Sequence, residues 1–116
     1  MTMFTTKRIY EDASESDGYR VLVDRLWPRG VSKERAHLDE WAKDIAPSNE
    51  LRTWYGHDPA KFKDFSKKYI EEIQQNPTAA DIIAGWQKHP KVTLLYGART
   101  ETDNEAVVLQ KYLHTS

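Results

Sequence analysis

Apolar, β-branched and aromatic residues crowd positions 4–10 and again 19–26 (YRVLVDRL), with a polar stretch at 11–18 between them. This pattern predicts two strands joined by a turn-rich segment. A directly paired parallel couple needs a crossover of about a dozen residues or more, so the shorter connection predicts strands that are antiparallel or not directly paired. A third strand is predicted over residues 91–98 (KVTLLYGA). Its adjacent Leu94 and Leu95 break the alternation of a half-wet strand and imply cover on both faces.

Helical spacing fills the gap between the second and third strands. Ser32 is a suitable N-cap, and Leu38, Trp41, Ala42 and Ile45 recur at i, i+3, i+4 and i+7, which predicts one helix over residues 33–45. Pro47-Ser48 opens a short helix with Leu51, Trp54 and Tyr55 on one side and Gly56 as its stop. Asp58-Pro59 and Asn76-Pro77 each pair a capping residue with proline at the first helical position. The longer helix that follows buries Phe62, Phe65, Tyr69, Ile70 and Ile73, and the shorter buries Ala79, Ile82, Ile83 and Trp86. Thr102, with Glu105 three residues on, reads as the capping box of a last helix striped by Ala106, Leu109, Tyr112 and Leu113. The long helical crossover allows the second and third strands to run parallel. The predicted fold class is therefore α/β: a small single domain over residues 1–116, with an about three-stranded mixed or parallel sheet covered by about five helices.

Charge and composition narrow the function classes. Seventeen Lys and Arg stand against 18 Asp and Glu, a formal charge of −1, so no overall positive field exists to hold a phosphate backbone. The chain has no Cys, which removes disulfides, thiolate nucleophiles and sulfur-ligated metals together. No stretch reaches the ~20 apolar residues of a membrane span and no apolar leader core is visible, so no membrane association and a cytoplasmic location are expected.

Candidate chemistry gathers where ligands settle in open α/β sheets, beyond the carboxyl ends of the parallel strands. Residues 24–30 (DRLWPRG) and 96–99 (YGAR) fall there. Arg25, Arg29 and Arg99 can approach one cleft, and the guanidinium fork suits phosphate or carboxylate. Alternatively, Asp24 pairs with one of these arginines and simply closes the sheet end. The ligand-binding candidates are Arg25, Trp27, Arg29, Tyr96, Arg99 and Asn104, with Trp27 able to stack and Asn104 near the N–H groups of the last helix. Asp24 and His57 are the acid–base candidates, whereas Glu105 is accounted for by the capping box. His37, His89 and His114 match no metal spacing, and no metal or cofactor is expected. No Walker, dinucleotide-binding, nucleophile-elbow or zincin signature occurs.

The expected function is binding of an anionic small molecule, phosphorylated or nucleotide-like, in this arginine-lined pocket, with acid–base chemistry as an addition. The alternative is a non-catalytic interaction module that docks a protein or single-stranded nucleic acid through Trp54, Lys61, Lys67 and Lys68.

The segments VLVDRLWPRG (21–30), WAKDIAPSNELRTWYGHDPAKFKDFSKKYIEEI (41–73), VTLLYGART (92–100) and NEAVVL (104–109) resemble the YeaO-like family, domain of unknown function 488. The resemblance spans residues 9–113 and implies a compact α/β fold without an established reaction. The chain departs from the family pattern at Glu105, where histidine often follows the asparagine. In a more distant branch the same region resembles a Cys-His-Arg triplet, and here those positions hold Asn104, Glu105 and Ala106. The resemblance therefore implies that thiol or histidine chemistry at that point does not transfer.

Overall fold

The computed structural model describes residues 2–115. Its centre is a sheet of four strands, β1 (Met3–Arg8), β2 (Tyr19–Leu22), β3 (Glu40–Trp41) and β4 (Lys91–Tyr96), in the order β1-β4-β2-β3. Every neighbouring pair is parallel. The sheet thus has four strands where the sequence pattern predicts about three, and β4 lies between β1 and β2, so those two are not directly paired. The short connection after β1 can run parallel because it steps over a strand instead of closing on its neighbour. It turns at Gly18, where φ is +67° and a Cβ would lie 2.6 Å from the Lys91 carbonyl oxygen. Only glycine fits that turn.

Among the described residues five α-helices accompany the sheet: α1 (Lys33–Ala36), α2 (Asn49–Tyr55), α3 (Phe62–Gln75), α4 (Pro77–Trp86) and α5 (Glu105–Thr115). Ser48 caps α2 by accepting from the Leu51 N–H, and Gly56 closes it at φ 53°. Asn76 caps α4 ahead of Pro77. These short-range signals hold because side chain and backbone meet within one turn. Asp58-Pro59 opens a single 3₁₀ turn, Pro59–Lys61, which leads into α3.

The predicted helix over 33–45 does not form. Helix α1 ends after one turn at His37, which adopts φ 46°. Arg20 collects the carbonyls that a longer helix would have used, donating from Nη2 to Ala36 O at 2.8 Å and from Nε to His37 O at 3.2 Å. Glu40 and Trp41 then pair with Val21 and Leu22 as the edge strand. The apolar residues that mimic a helical stripe divide between the two faces of the sheet. Ala42 and Ile45 join the large core beneath α2–α5, while Leu38 and Trp41 pack on the smaller core of Ile9, Leu22, Val31, Ala36 and Leu95.

Strand β4 shows why its sequence is unbroken. Val92, Leu94 and Tyr96 face the large core and Leu95 the small one, so both faces are covered. Between them Thr93 donates from Oγ1 to Asp17 O at 2.6 Å. Asp17 is buried with Arg20 and accepts from Lys7 Nζ at 3.1 Å, so the second face of the sheet carries a satisfied ionic cluster beside its apolar patch. Tyr69, fully buried on α3, donates its hydroxyl to Ile45 O at 2.8 Å and ties the helical layer to the loop before α2.

Candidate functional site

Strands β2 and β4 both end at one side of the molecule, and their following loops are pinned together there. The Gly97 N–H donates to Asp24 Oδ2 at 2.8 Å, and Trp41 Nε1 donates to Asp24 O at 2.8 Å. Asp24 is thereby held by backbone and indole donors, and among the described residues it forms no ion pair with an arginine. A cavity of about 230 Å³ opens over this junction, with Asp24, Trp27, Pro28, Tyr55, Phe65 and Glu105 in its lining. A second cavity of about 460 Å³ adjoins it, sharing Tyr55, His57, Gly97 and Ala98 and extending to Arg99. Together they form one cleft at the carboxyl ends of two parallel strands, the position the topology favours.

The floor of the cleft is acidic. Glu105 is the first residue of α5, and its carboxyl lies within hydrogen-bonding reach of Asp24. The residue as a whole is partly exposed, but its Oε1 is closed off from solvent and has no hydrogen-bonding donor among the described residues. Burial first, and then the charge and hydrogen bonding of Asp24, push the Glu105 carboxyl well above the ordinary glutamate range; its own backbone N–H opposes this more weakly. Two carboxyl groups in a low-dielectric pocket cannot both ionise cheaply, so Glu105 holds its proton to higher pH than a free glutamate does.

Glu105 has no capping role. The N-cap of α5 is Asn104, which accepts from Val107 N–H at 3.0 Å through Oδ1 and donates through Nδ2 to Thr100 O at 2.9 Å. Thr102 lies earlier in the same loop and Asn104 takes the cap position, so the predicted Thr102/Glu105 capping box is not formed. Asn104 itself is 1% exposed, and both ends of its amide are engaged in this cap.

The remaining candidates separate into three situations. Arg25 lines the cleft, but its guanidinium donates to Pro47 O at 2.8 Å and Ala46 O at 3.1 Å, fixing the entry to α2. Trp27 also lines it, with its Nε1 donating to Val31 O at 2.7 Å and its ring edge-on to Trp41. Tyr96 is buried in the large core and does not reach the cleft. Arg29 is exposed on the loop outside both cavities, where its carbonyl accepts from Tyr10 Oη. Arg99 and His57 are exposed on the lining, and His57 adopts φ 59° just after α2. The three arginines are therefore not brought to one point. Arg52, exposed on α2, reaches the cleft instead.

Two of these residues are hard to find by pattern. Arg52 carries no motif of its own, and Glu105 is hidden behind a plausible cap; the signal for Glu105 is that Asn104, a better N-cap, immediately precedes it. Tyr55, also on the lining, donates its hydroxyl to Asp103 O at 2.9 Å. Burial, with the nearby Asp103, Glu105 and Asp58 charges, raises its pKa and keeps that donor protonated.

Residues 3–116 match the family model described as the inactive DUF488-N3 subclade. The chain belongs to the DUF488 family. This DUF488 chain is 43% identical over 109 residues to the uncharacterized protein YeaO of Escherichia coli (strain K12), covering 94% of the chain and 95% of that relative. It is also 44% identical over 81 residues to the uncharacterized protein Rv3073c of Mycobacterium tuberculosis (strain H37Rv), covering 70% of the chain and 69% of the relative. No solved structure matches the chain. The DUF488 cleft contains no group of three or more His, Cys, Asp or Glu placed to hold a metal ion among the described residues. No helix among them is long and apolar enough to cross a membrane.

Proposed function

We propose that this DUF488 chain is a cytoplasmic ligand-binding domain that takes a phosphorylated or nucleotide-like small molecule in the cleft beyond β2 and β4. The carrying observation is the polarity of the cleft: Asp24 and Glu105 form an enclosed acidic floor, while Arg52, His57 and Arg99 stand exposed around it. An anion is repelled by the floor and attracted by these outer side chains, so the phosphate belongs at the mouth. Trp27, Pro28 and Tyr55 supply the apolar wall that small-molecule sites use for most of their contact. The description of the matched subclade as inactive favours binding over turnover.

The interaction-module alternative has less to stand on. Trp54 is 38% exposed, but Lys61 and Lys68 already lie over its ring, at 5.2 and 5.3 Å from the centroid. That arrangement covers an aromatic surface instead of presenting it.

The test is a thermal-shift panel of inorganic phosphate, sugar phosphates, nucleotides and short oligonucleotides at two salt concentrations. A ligand at 100 times its Kd is expected to stabilise the fold by about 2.7 kcal/mol. The shift is expected to be lost in Arg99→Ala or Arg52→Ala and retained in Arg29→Ala, which lies outside the cleft. Stabilisation by oligonucleotides alone, collapsing with salt, would instead favour the docking module.

A further inference from the structure

The two chambers of the cleft meet at a neck made by the four residues that line both, Tyr55, His57, Gly97 and Ala98. The neck is fixed from either side. The Tyr55 hydroxyl donates to Asp103 O at 2.9 Å, and the Gly97 N–H donates to Asp24 Oδ2 at 2.8 Å. His57 sits in a tight turn in which the Asp58 N–H donates to Tyr55 O at 3.0 Å, with φ 53° at Gly56 and φ 59° at His57 itself. Left-handed backbone is uncommon for a residue with a side chain, and here it holds an exposed imidazole at the outer rim of the neck. Charge is distributed around this point in a particular way. Arg52 lines the first chamber alone and Arg99 the second alone, while His57 lines both. Arg8, Arg20, Arg25 and Arg35 spend their guanidiniums on backbone carbonyls, whereas the side chains of Arg52, His57 and Arg99 have no hydrogen-bond or ion-pair partner among the described residues. The acidic side chains on the lining each belong to one chamber, Asp24 and Glu105 to the first and Asp103 to the second, and none to the neck.

We infer that the ligand is a phosphodiester, with its phosphate at the neck beside His57 and one organic substituent in each chamber. This rests on the ligand site proposed above and specifies how many organic groups the phosphate carries. The neck is where an anion has a cationic side chain on either hand and no carboxylate in the shared lining. A diester phosphate carries one negative charge, against about −1.5 to −2 for a monoester near neutrality, so it suffers less from Asp24 and Asp103 on the two sides. Each chamber also offers an apolar wall, Trp27 and Pro28 in the first and Pro59 and Ala98 in the second. The first chamber, about 230 Å³, is smaller than the roughly 300 Å³ at which small-molecule sites begin, and it joins one of about 460 Å³. A monoester fills one of them and leaves the other wall wet; a diester covers both.

The test compares ligands that differ only in the second ester: diphenyl phosphate with phenyl phosphate, and adenylyl-adenosine with AMP. NMR spectra of the whole protein report each chamber separately, the Trp27 indole N–H for the first and the Thr100 amide for the second. Each diester is expected to move both signals and to bind about tenfold more tightly than its monoester. Longer oligoadenylates are expected to bring no further gain, because the chambers hold two substituents. His57→Gly removes the imidazole and relieves the left-handed backbone, so it is expected to weaken adenylyl-adenosine about tenfold with a melting temperature no lower than wild type. Equal binding of monoester and diester, movement of one signal alone at saturation, or unchanged affinity in His57→Gly would overturn the inference. Affinity that keeps rising with oligoadenylate length and collapses with salt would overturn it in favour of strand docking. If the monoesters bind and the diesters do not, the inference falls and the anion site survives; if neither these probes nor inorganic phosphate move any signal, both fall.

Discussion

The Gly97 N–H donates to Asp24 Oδ2 at 2.8 Å, so the first residue after β4 and the second after β2 are locked to each other at the base of the cleft. The contact is close enough that a Cβ on Gly97 would lie 3.0 Å from the same oxygen and 3.7 Å from Pro28 Cβ. Gly97→Ala is therefore expected to push the Asp24 carboxyl out of place at a cost of about 1–3 kcal/mol. Denaturant unfolding checks the magnitude; an unchanged midpoint would mean that the loop yields freely.

Glu105→Gln tests the acidic floor through its pH dependence. Because folding raises the pKa of Glu105, the folded state binds its proton more tightly, and this contribution to stability is full below the ordinary value of 4.5 and declines as pH rises to the folded value. Glutamine has no such decline. The melting temperature of the variant relative to wild type is expected to climb with pH above 4.5, and a constant gap from pH 4 to 9 would contradict the pairing with Asp24.

Asp17→Asn tests the opposite face of the sheet. Burial alone would push this carboxyl up, but hydrogen bonds from Ser14 N–H, Lys7 and Arg20, with the Lys7 charge, outweigh it and hold the group below its ordinary 3.8. Its stabilisation is thus present above pH 3.8 and lost as pH falls through the lower folded value. Removing the charge leaves Arg20 buried against a neutral partner, and the loss is expected to be about 3–5 kcal/mol near neutrality, shrinking in acid. Urea titrations at pH 7 and pH 3 distinguish this from a pH-independent packing defect.

Asn104→Ala removes the cap of α5 and the tether to Thr100 O in one step. A loss of about 1–2 kcal/mol is expected by thermal unfolding. Thr102→Ala is expected to change little, since Thr102 does not cap the helix.

Much of the architecture is readable from short-range chemistry. Ser48, Gly56 and Asn76 mark helix ends because cap and backbone meet within one turn, and Phe65, Tyr69 and Ile73 are buried on α3 as their spacing requires. Residues 33–45 defeat the same reasoning because Arg20, far back in the chain, takes the Ala36 and His37 carbonyls and no local pattern encodes that competition. The cleft is legible in place but not in detail. Its position follows from parallel strand ends, while the engagement of Arg25 with Ala46 and Pro47 and the approach of Glu105 to Asp24 depend on segments that meet only in the folded chain.

Because β4 lies beside β1 in the sheet yet comes after residue 90, β1 has no strand partner among the described residues until synthesis has passed that point. Until then β2 has only the two residue pairs it shares with β3. During synthesis, α3 and α4 can therefore gather as helices long before the sheet they cover is assembled. Sheet closure is a late, long-range step, and the nascent protein carries its unpaired β1 edge until residues 91–96 insert and join both halves.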